Sequence, residues 1–259
     1  MPVPLNILKQ RFHAGETTFG CWLSFAEPTA AEIMGTAGFD WLVIDGEHAP
    51  NDIRSIRDQL LALQASPSPA IVRVPVGEPW MIKQVLDIGA QTVLVPMVES
   101  AAQAHQMVRA CTYPPQGMRG VGAAGTRSSR FAAIPDYIQT ADAQISLIVQ
   151  VENRAGLAAL DDILAVPGID CVFIGPSDLS TDLGHHGQPA HPEVHDTILS
   201  MLTRIAAAGK VPGIMSRSES LTEEYLAAGA RFIAVGVDVL TLAQAARDLA
   251  ARWITPPSA

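Results

Sequence analysis

The feature that most constrains the fold is an alternation of short apolar runs with longer amphipathic stretches. Eight runs rich in β-branched residues follow one another along the chain: TTFGCWLSF, WLVID, AIVRVP, TVLVPMV, ISLIVQVE, CVFIG, VPGIMS and FIAVGV. Several intervening stretches end at glycine just before the next run, as in IGAQTVLV and AGARFIAV. This alternation predicts parallel strands joined by crossover helices. Eight such units in 259 residues predict a single α/β domain, a (β/α)8 TIM barrel spanning residues 1–259.

Charge and cysteine content exclude several classes of protein. The net charge of −9 argues against a nucleic-acid or anionic-membrane surface, because such surfaces attract clustered lysine and arginine. No apolar run approaches the roughly 18 residues that a membrane helix needs. Cys21, Cys111 and Cys171 are too far apart to indicate a disulfide framework or a zinc knuckle. We therefore expect a cytoplasmic protein with small, buried, reduced cysteines.

Polar residues close most of the predicted strands. In a (β/α)8 barrel these ends meet at one face, which carries the active site. A single polar residue at a strand end is more often a helix cap or an ion-pair partner, but a complete rim of them predicts a site. In chain order the rim comprises Trp22, Ser24, Asp45, Glu47, His48, Arg73, Glu99, Gln150, Glu152, the GPSD turn at residues 175–178, and Ser216.

Glu152 and Asp178 close neighbouring strands 5 and 6, so two carboxylates are expected on one side of the barrel mouth. Hard oxygen ligands without an adjacent cysteine or histidine set suit Mg²⁺ or Mn²⁺, which accept further ligands from water or substrate. The competing interpretation is the carboxylate pair of a glycosidase. Such an enzyme would be expected to line its cleft with aromatic residues, which form only 5% of this chain.

Three further parts of the rim indicate acid–base and anion chemistry. Arg73 suits a developing oxyanion, although a structural ion pair with Asp45 or Glu99 is the alternative. His48 is a candidate base that Asp45 could orient. The GPSD turn could hold a substrate carboxylate on its free N–H groups, or Ser177 could simply cap the following helix.

Residues 116–135 depart from the alternation, with four glycines and three arginines before Phe131. They contain a GxGxxG match at Gly120, Gly122 and Gly125, but no strand precedes it and no clear helix follows, so a dinucleotide site is disfavoured. A loop of this length is usually functional or mobile, and we expect a flexible cover over the active site.

Two other chemistries are also disfavoured. His191 and His195 have the i, i+4 spacing of a zinc pair, but Pro192 suits a first helical position and no cysteine or carboxylate completes the set. The lysines, Lys9, Lys83 and Lys210, fall away from the predicted catalytic ends of the strands. Imine chemistry needs a lysine inside the barrel or at its catalytic mouth.

Four motifs carry a resemblance to a known family: FDWLVIDGEHAPND, YPPQGMRGVG, VQVENRAGL and FIGPSDLSTDLG. Over about residues 20 to 253 the chain resembles the metal-dependent HpcH/HpaI aldolases. The resemblance implies a (β/α)8 barrel assembled as a homo-hexamer, a trimer of dimers. It also implies that the last helix, at about residues 238–254, packs on a neighbouring subunit.

The resemblance also implies roles for individual residues. Glu152 and Asp178 would bind a divalent metal, Mg²⁺ or Mn²⁺ with Co²⁺ or other divalent ions possible. Arg73 would face the pyruvyl keto oxygen, and His48 would be the acid/base. Asp45 would assist His48, as would Asp87 of an adjacent subunit. The expected pyruvate pocket is lined by Gln150, Gly175, Pro176 and Ser177, with Trp22 as a further substrate contact.

The implied reaction is the reversible retro-aldol cleavage of a 4-hydroxy-2-oxo acid to pyruvate and an aldehyde. Two alternatives stay open. One is a CoA-thioester lyase of the malyl-CoA or citrate lyase β type, for which only Arg119, Arg127 and Arg130 could begin a groove for the CoA phosphates. The other is a non-catalytic barrel that binds keto acids.

Overall fold

A computed structural model describes residues 2–254 of the protein and shows a closed barrel of parallel strands. Each strand pairs with the next, and β8 pairs with β1 to close the barrel. The predicted (β/α)8 fold is therefore confirmed, with every predicted strand present. The strands are β1 Thr18–Leu23, β2 Trp41–Asp45, β3 Ala70–Arg73, β4 Thr92–Val95, β5 Ser146–Val151, β6 Cys171–Ile174, β7 Val211–Met215 and β8 Phe232–Val237.

Helices surround the barrel and separate consecutive strands. They are α1 Ile7–His13, α2 Pro28–Gly35, α3 Ile53–Ala62, α4 Pro79–Asp87, α5 Ala101–Cys111, α6 Tyr137–Thr140, α7 Arg154–Ala158, α8 Leu160–Leu164, α9 Pro176–Asp182, α10 Pro192–Ala207, α11 Glu219–Ala227 and α12 Asp238–Trp253. The stretch NRAGLAALDDILAV forms two helices, α7 and α8, because the backbone leaves the helical region at Ala159. No helix within residues 2–254 combines the length and apolarity needed to cross a membrane.

The apolar core has two layers. Valine, isoleucine and leucine side chains fill the space between the barrel and its helices. Inside the barrel, aliphatic side chains pack together with aromatic ones. Trp41 stacks on Phe232 with ring centroids 3.9 Å apart, and Phe173 meets Phe232 edge to face at 5.9 Å. Helix α1 closes the amino end of the barrel, where Phe12 packs against Phe232. With one end closed, the carboxyl ends of the strands form the open mouth. All three cysteines are buried and free, as expected.

Residues 116–135 lie at the closed, amino end of the barrel. They form two short 3₁₀ turns, Ala123–Gly125 and Arg127–Ser129. Arg127 donates hydrogen bonds to the carbonyl oxygens of Ile88, after α4, and Leu60, in α3. These bonds attach the segment to the ends of helices that run back from the mouth. The prediction that it covers the active site of its own chain is therefore wrong.

The same segment buries the guanidinium of Arg119 completely. The group lies 4.5 Å from the Tyr113 ring centroid and 5.7 Å from that of Tyr137. It donates to the Tyr137 hydroxyl at 3.3 Å and to Asp87 Oδ1 at 3.4 Å. Arg119 is thus fixed inside the fold, where it cannot contribute to an open phosphate groove.

Candidate active site

A cavity of about 490 Å³ opens at the carboxyl ends of the strands. It contains most of the side chains singled out from the sequence, contributed by β1, β2, β3, β5 and the turn after β6. They are Trp22, Ser24, Asp45, His48, Arg73, Gln150, Gly175, Pro176, Ser177 and Asp178. The three lysines lie outside this cavity. The polar residues expected at the carboxyl ends of the strands therefore indicated the position of this cavity from the sequence.

Arg73 and Asp45 form a bidentate ion pair at the ends of the adjacent strands β3 and β2. Nε and Nη2 of Arg73 donate to the two carboxylate oxygens of Asp45 at 2.9 and 2.8 Å. The strands place these residues opposite each other in register, and both side chains are more than nine-tenths buried. Nη1 of Arg73 also donates to Glu47. The ion pair considered as the alternative for Arg73 thus exists, and it fixes the guanidinium in one orientation beside the cavity.

His48 is carried by the turn that follows β2. The carboxylate of Asp45 accepts the backbone N–H groups of Glu47 at 2.9 Å and His48 at 3.3 Å. Asn51 donates to the Asp45 carbonyl at 2.8 Å, and the buried Gln59 of α3 donates to Asn51 at 2.7 Å. The turn is therefore held at several points, while the His48 side chain itself is 65% exposed at the cavity.

Trp22 lies against the cationic centre. Its ring centroid is 4.3 Å from Cζ of Arg73, within the range of a cation–π contact. Phe173 meets the Trp22 ring edge to face at 5.9 Å. Nε1 of Trp22 is buried without a hydrogen-bond partner, although Trp22 lines the cavity. A buried N–H at a cavity wall is a donor that a ligand could satisfy.

Glu152 lies just behind the cavity wall and is 2% exposed. Its Oε1 accepts the backbone N–H of Met97 at 3.0 Å, and its Oε2 accepts a hydrogen bond from Gln150. The pKa of Glu152 is raised to about 7, mainly by burial and to a smaller extent by the negative charges of Asp178 and Glu47, against the lowering effect of the hydrogen bonds from Gln150 and Met97. Burial also raises the pKa of Glu47, against the opposing effect of Arg73.

The turn after β6 approaches Glu152 so closely that it requires glycine. A side chain at Gly175 would overlap the Glu152 carboxylate and the Gln150 amide. Helix α9 begins at Pro176, with Gly175 as its N-cap and no side-chain cap. The alternative in which Ser177 caps this helix is therefore wrong. Asp178 lies in the first turn of α9 and is exposed to the cavity.

The side chains around Glu152 fit a divalent cation. Asp45, Glu47, Glu152 and Asp178 place more negative charge at the mouth than the Arg73 guanidinium balances. The raised pKa of Glu152 records the cost of ionising this carboxylate without a further positive charge. Oε1 of Gln150 is a buried acceptor without a partner. Oxygen donors of this kind match the preference of Mg²⁺ and Mn²⁺.

Asp87, a predicted site residue, and the disfavoured histidine pair both lie away from the mouth. Asp87 ends α4, which leads into the start of β4, so it lies toward the amino end and pairs with Arg119. Within one chain it cannot assist His48. The histidine pair is also separated, because His195 Nε2 is directed to Glu224 at 2.9 Å. His191 instead adjoins His185 and Glu193, outside the mouth cavity.

The sequence analysis did not predict the apolar residues of the cavity wall or the hydrogen bond from Met97 to Glu152. Phe173, Met215, Val237, Val239 and Leu240 complete the cavity wall. Phe173, Met215 and Val237 lie at or near the carboxyl ends of β6, β7 and β8, so inward-pointing apolar positions there were the available signal. The hydrogen bond from Met97 to Glu152 has no such signal, because it depends on a left-handed backbone conformation at Met97, with φ 53°.

Comparisons with known proteins show which family this chain resembles along nearly its whole length. The model of the HpcH/HpaI aldolase/citrate lyase family matches residues 18–245. A hydroxypyruvate/pyruvate aldolase of Roseobacter denitrificans is 57% identical over 98% of this chain and 99% of its own. A 4-hydroxy-2-oxo-heptane-1,7-dioate aldolase of Escherichia coli is 49% identical over 96% of this chain and 95% of its own. A solved HpcH/HpaI aldolase/citrate lyase family protein from Burkholderia cenocepacia J2315 has a TM-score of 0.92 and 42% identity, covering 95% of this chain and 98% of its own.

Proposed function

The chain belongs to the HpcH/HpaI aldolase/citrate lyase family, and we propose that it cleaves 4-hydroxy-2-oxo acids reversibly to an aldehyde and pyruvate. It is an aldolase, a carbon–carbon lyase, as its relatives of 57% and 49% identity are named. The observation that carries the assignment is the Arg73–Asp45 pair beside a surplus of buried carboxylate at the mouth. Because one relative is named for hydroxypyruvate as well as pyruvate, we include hydroxypyruvate as a donor.

A divalent metal is typical of the family, and Glu152 and Asp178 are the residues we propose as its ligands. When bound, the ion supplies Lewis-acid polarisation of the 2-oxo group. Mg²⁺ and Mn²⁺ suit the oxygen donors best, and Co²⁺ is a further candidate. Asn153, the residue after Glu152, is held in place on both sides. Its side chain donates to Glu99 at 2.6 Å, and it caps α7 by accepting the Gly156 N–H at 2.8 Å.

The oxo-acid end of the substrate is proposed to lie between the turn after β6 and the aromatic wall. Gly175, Pro176 and Ser177 begin α9 without a side-chain cap, which leaves the first N–H groups of that helix for a carboxylate. Gln150 lines the same part of the cavity. On the other side, Trp22 offers its unpartnered Nε1–H as a donor.

The proton-handling group is His48. It accepts the proton of the C4 hydroxyl as the C3–C4 bond breaks, and the electron pair of that bond moves to form a C2–C3 double bond. Negative charge then develops on the 2-oxo oxygen, where the fixed Arg73 guanidinium stabilises it. Asp45 keeps Arg73 oriented and anchors the His48 turn. Protonation of C3 completes the release of pyruvate, and the reverse sequence is aldol addition.

We further propose a homo-hexamer in which α12 packs on a neighbouring subunit and Asp87 reaches a neighbour's active site. Asp87 is 21% exposed at the amino end of its own barrel, so a second chain could approach it there. The predicted cytoplasmic location also remains a prediction. A CoA-thioester lyase is not favoured, because Arg119 is enclosed and Arg127 is bonded to backbone at the end opposite the mouth.

The test is pyruvate release from a racemic 4-hydroxy-2-oxo acid by metal-stripped enzyme, with and without added Mg²⁺ or Mn²⁺. We expect release only after a metal is added. Release that is equally fast in a chelator would remove Glu152 and Asp178 from their proposed role. No release under any condition, together with retained pyruvate binding, would favour the keto-acid-binding barrel.

A further inference from the structure

A group of histidine and carboxylate side chains lies outside the mouth cavity, in the segment between α9 and α10. Nε2 of His185 is 2.8 Å from Oε2 of Glu193. The His191 ring stacks on the His185 ring, with centroids 3.6 Å apart and planes inclined by 15°. One potential ligand atom from each of the three residues lies within 4.8 Å of the other two. None of these residues lines the mouth cavity, so the group is separate from the proposed catalytic residues.

The backbone that carries the two histidines is held by a series of turns. The N–H of His185 donates to Ser180 at 2.8 Å at the end of α9. Gln188 then donates to the His185 carbonyl at 3.0 Å, and His191 donates to the Gln188 carbonyl at 3.0 Å. Glu193 is fixed independently in the first turn of α10. Because these main-chain positions are already ordered, a ligand that joins the side chains would lose little further backbone entropy.

The three side chains form a mixed nitrogen and oxygen donor set. We propose that His185, His191 and Glu193 bind one first-row transition metal ion, with Zn²⁺ as the reference ion. Two imidazoles and one carboxylate suit Zn²⁺, Co²⁺, Ni²⁺ or Cu²⁺, whereas Mg²⁺ prefers oxygen ligands alone. Ligand atoms around a tetrahedral zinc ion are about 3.3 Å apart, so side-chain rotations within this group are sufficient to assemble the site.

Binding replaces two existing interactions. The His185–Glu193 hydrogen bond would give way to coordination of both groups. Nδ1 of His191 now accepts the N–H of Glu193 at 3.3 Å as the N-cap of α10. If Nδ1 of His191 binds the metal, it can no longer accept this hydrogen bond. If Nε2 binds instead, Nδ1 carries the proton and cannot accept it either. The cap is longer than the usual range for such bonds, so its loss costs little. Arg154 is the nearby positive charge that opposes a cation.

The ion would join the end of α9 to the start of α10. Helix α9 carries Asp178 at its other end, in the mouth cavity. The proposed site is nevertheless structural, because none of its residues lines the mouth cavity. A metal bound there stabilises the folded chain by mass action without being required for the cleavage reaction.

The experiment uses tag-free, metal-stripped enzyme titrated with Zn²⁺ by calorimetry in saturating Mg²⁺. His191→Asn keeps a capping side chain and His185→Gln keeps a donor for Glu193, but both remove an imidazole ligand. The matched control is His186→Gln, which changes the adjacent exposed histidine outside the group. A Glu152→Gln enzyme separates this site from the proposed catalytic metal site. Melting temperatures with and without Zn²⁺, and Mg²⁺-dependent aldolase activity, are measured for each protein.

We expect one Zn²⁺ equivalent in the wild-type, His186→Gln and Glu152→Gln proteins. In His185→Gln and His191→Asn the Zn²⁺ affinity should fall at least about 10-fold. This is the smallest usual effect of removing a residue that only orients a metal ligand, and here a ligand itself is removed. The Zn²⁺-dependent rise in Tm should be lost in the same two variants, while their Mg²⁺-dependent activity stays unchanged. Wild-type Zn²⁺ affinity in both variants, or loss of the bound equivalent in Glu152→Gln instead, would overturn the proposal.

Discussion

At the level of single residues, His48 and Arg73 differ in how far catalysis can be separated from stability. Arg73 is buried in an ion pair with Asp45, so its removal would leave a buried carboxylate without a partner. The His48 side chain is 65% exposed and makes no hydrogen bond comparable with those of Arg73. Substitution of His48 therefore tests the proposed chemistry without disturbing the packing.

We predict that His48→Ala lowers kcat for retro-aldol cleavage by about 100- to 10,000-fold, the usual contribution of a general acid or base. Its Tm should remain within experimental error of the wild type, because an exposed side chain is removed. Steady-state pyruvate release and thermal unfolding provide the two measurements. His105→Ala, an exposed histidine on α5, is the matched control. Activity within a factor of two of the wild type would remove His48 from its assigned role.

Glu152 gives a prediction about stability and pH. Its pKa is raised to about 7 in the folded, metal-free chain, mainly by burial. The folded state therefore binds more protons than the unfolded state between the ordinary glutamate pKa and about 7. The contribution of Glu152 to the free energy of unfolding should therefore fall as the pH rises through this window, in total by roughly 3 kcal/mol for a shift of this size.

The measurement is urea unfolding in a chelator from pH 4.5 to pH 8, comparing the wild type with Glu152→Gln. The substitution removes the titrating charge, so the stability of the wild type relative to the variant should decrease with rising pH. A constant difference across this range would show that Glu152 titrates normally. Added Mn²⁺ should offset the loss in the wild type, since the metal favours the ionised carboxylate.

At the level of elements, the end of β4 depends on an unusual backbone conformation. Met97 has φ 53°, a left-handed conformation that costs an L-residue roughly 1–2 kcal/mol. This conformation accompanies the donation of the Met97 N–H to Glu152 Oε1. Strained residues of this kind concentrate at functional sites, where the surrounding structure stabilises them.

We predict that two substitutions of Met97 differ in their effect on Mn²⁺ affinity. Met97→Gly adopts the left-handed conformation without steric cost and should retain Mn²⁺ affinity. Met97→Val places a β-branched side chain there and should lose stability by about 1–2 kcal/mol and bind Mn²⁺ more weakly. Both remove the Met97 sulfur near Asn153, so that contact is controlled. Equal Mn²⁺ affinities, measured by calorimetry, would show that the backbone conformation does not position Glu152.

At the level of the whole molecule, two kinds of feature could be predicted from the sequence. One is governed by local periodicity, and the other follows from the position of active sites at the carboxyl ends of barrel strands. Alternation gave all eight strands, and the strand-end rule brought Asp45, His48, Arg73 and Asp178 to one cavity. Prediction from the sequence failed where contacts between residues distant in the chain determine the structure. The position of residues 116–135 is set by bonds from Arg127 to α3 and α4, which no local signal encodes. Of the two alternatives for the GPSD turn, the one with Ser177 as a cap is wrong, because Gly175 is the N-cap of α9 and no side chain caps it.

The last helix raises a question about assembly. Of the residues that the structure describes in α12, only Asp238 is buried. Leu242, Leu249 and Trp253 are 59%, 57% and 82% exposed. Their spacing places them on one face of the helix, which indicates an interface rather than scattered surface residues. This apolar face supports the proposed packing of α12 on a neighbouring subunit.

We predict that Leu242→Glu combined with Leu249→Glu shifts the protein from the proposed hexamer to smaller species, measured by light scattering after size-exclusion chromatography. A charge placed in an apolar interface loses its hydration without gaining a partner, so association weakens. Gln244→Glu is the control for added charge, because residue 244 is exposed and lies on the side of the helix away from Leu242 and Leu249. If Asp87 acts in a neighbour's active site, the smaller species should lose cleavage activity while keeping the far-ultraviolet spectrum of the barrel. An unchanged mass would show that this face is not an interface, and full activity in the smaller species would show that the site is complete within one chain.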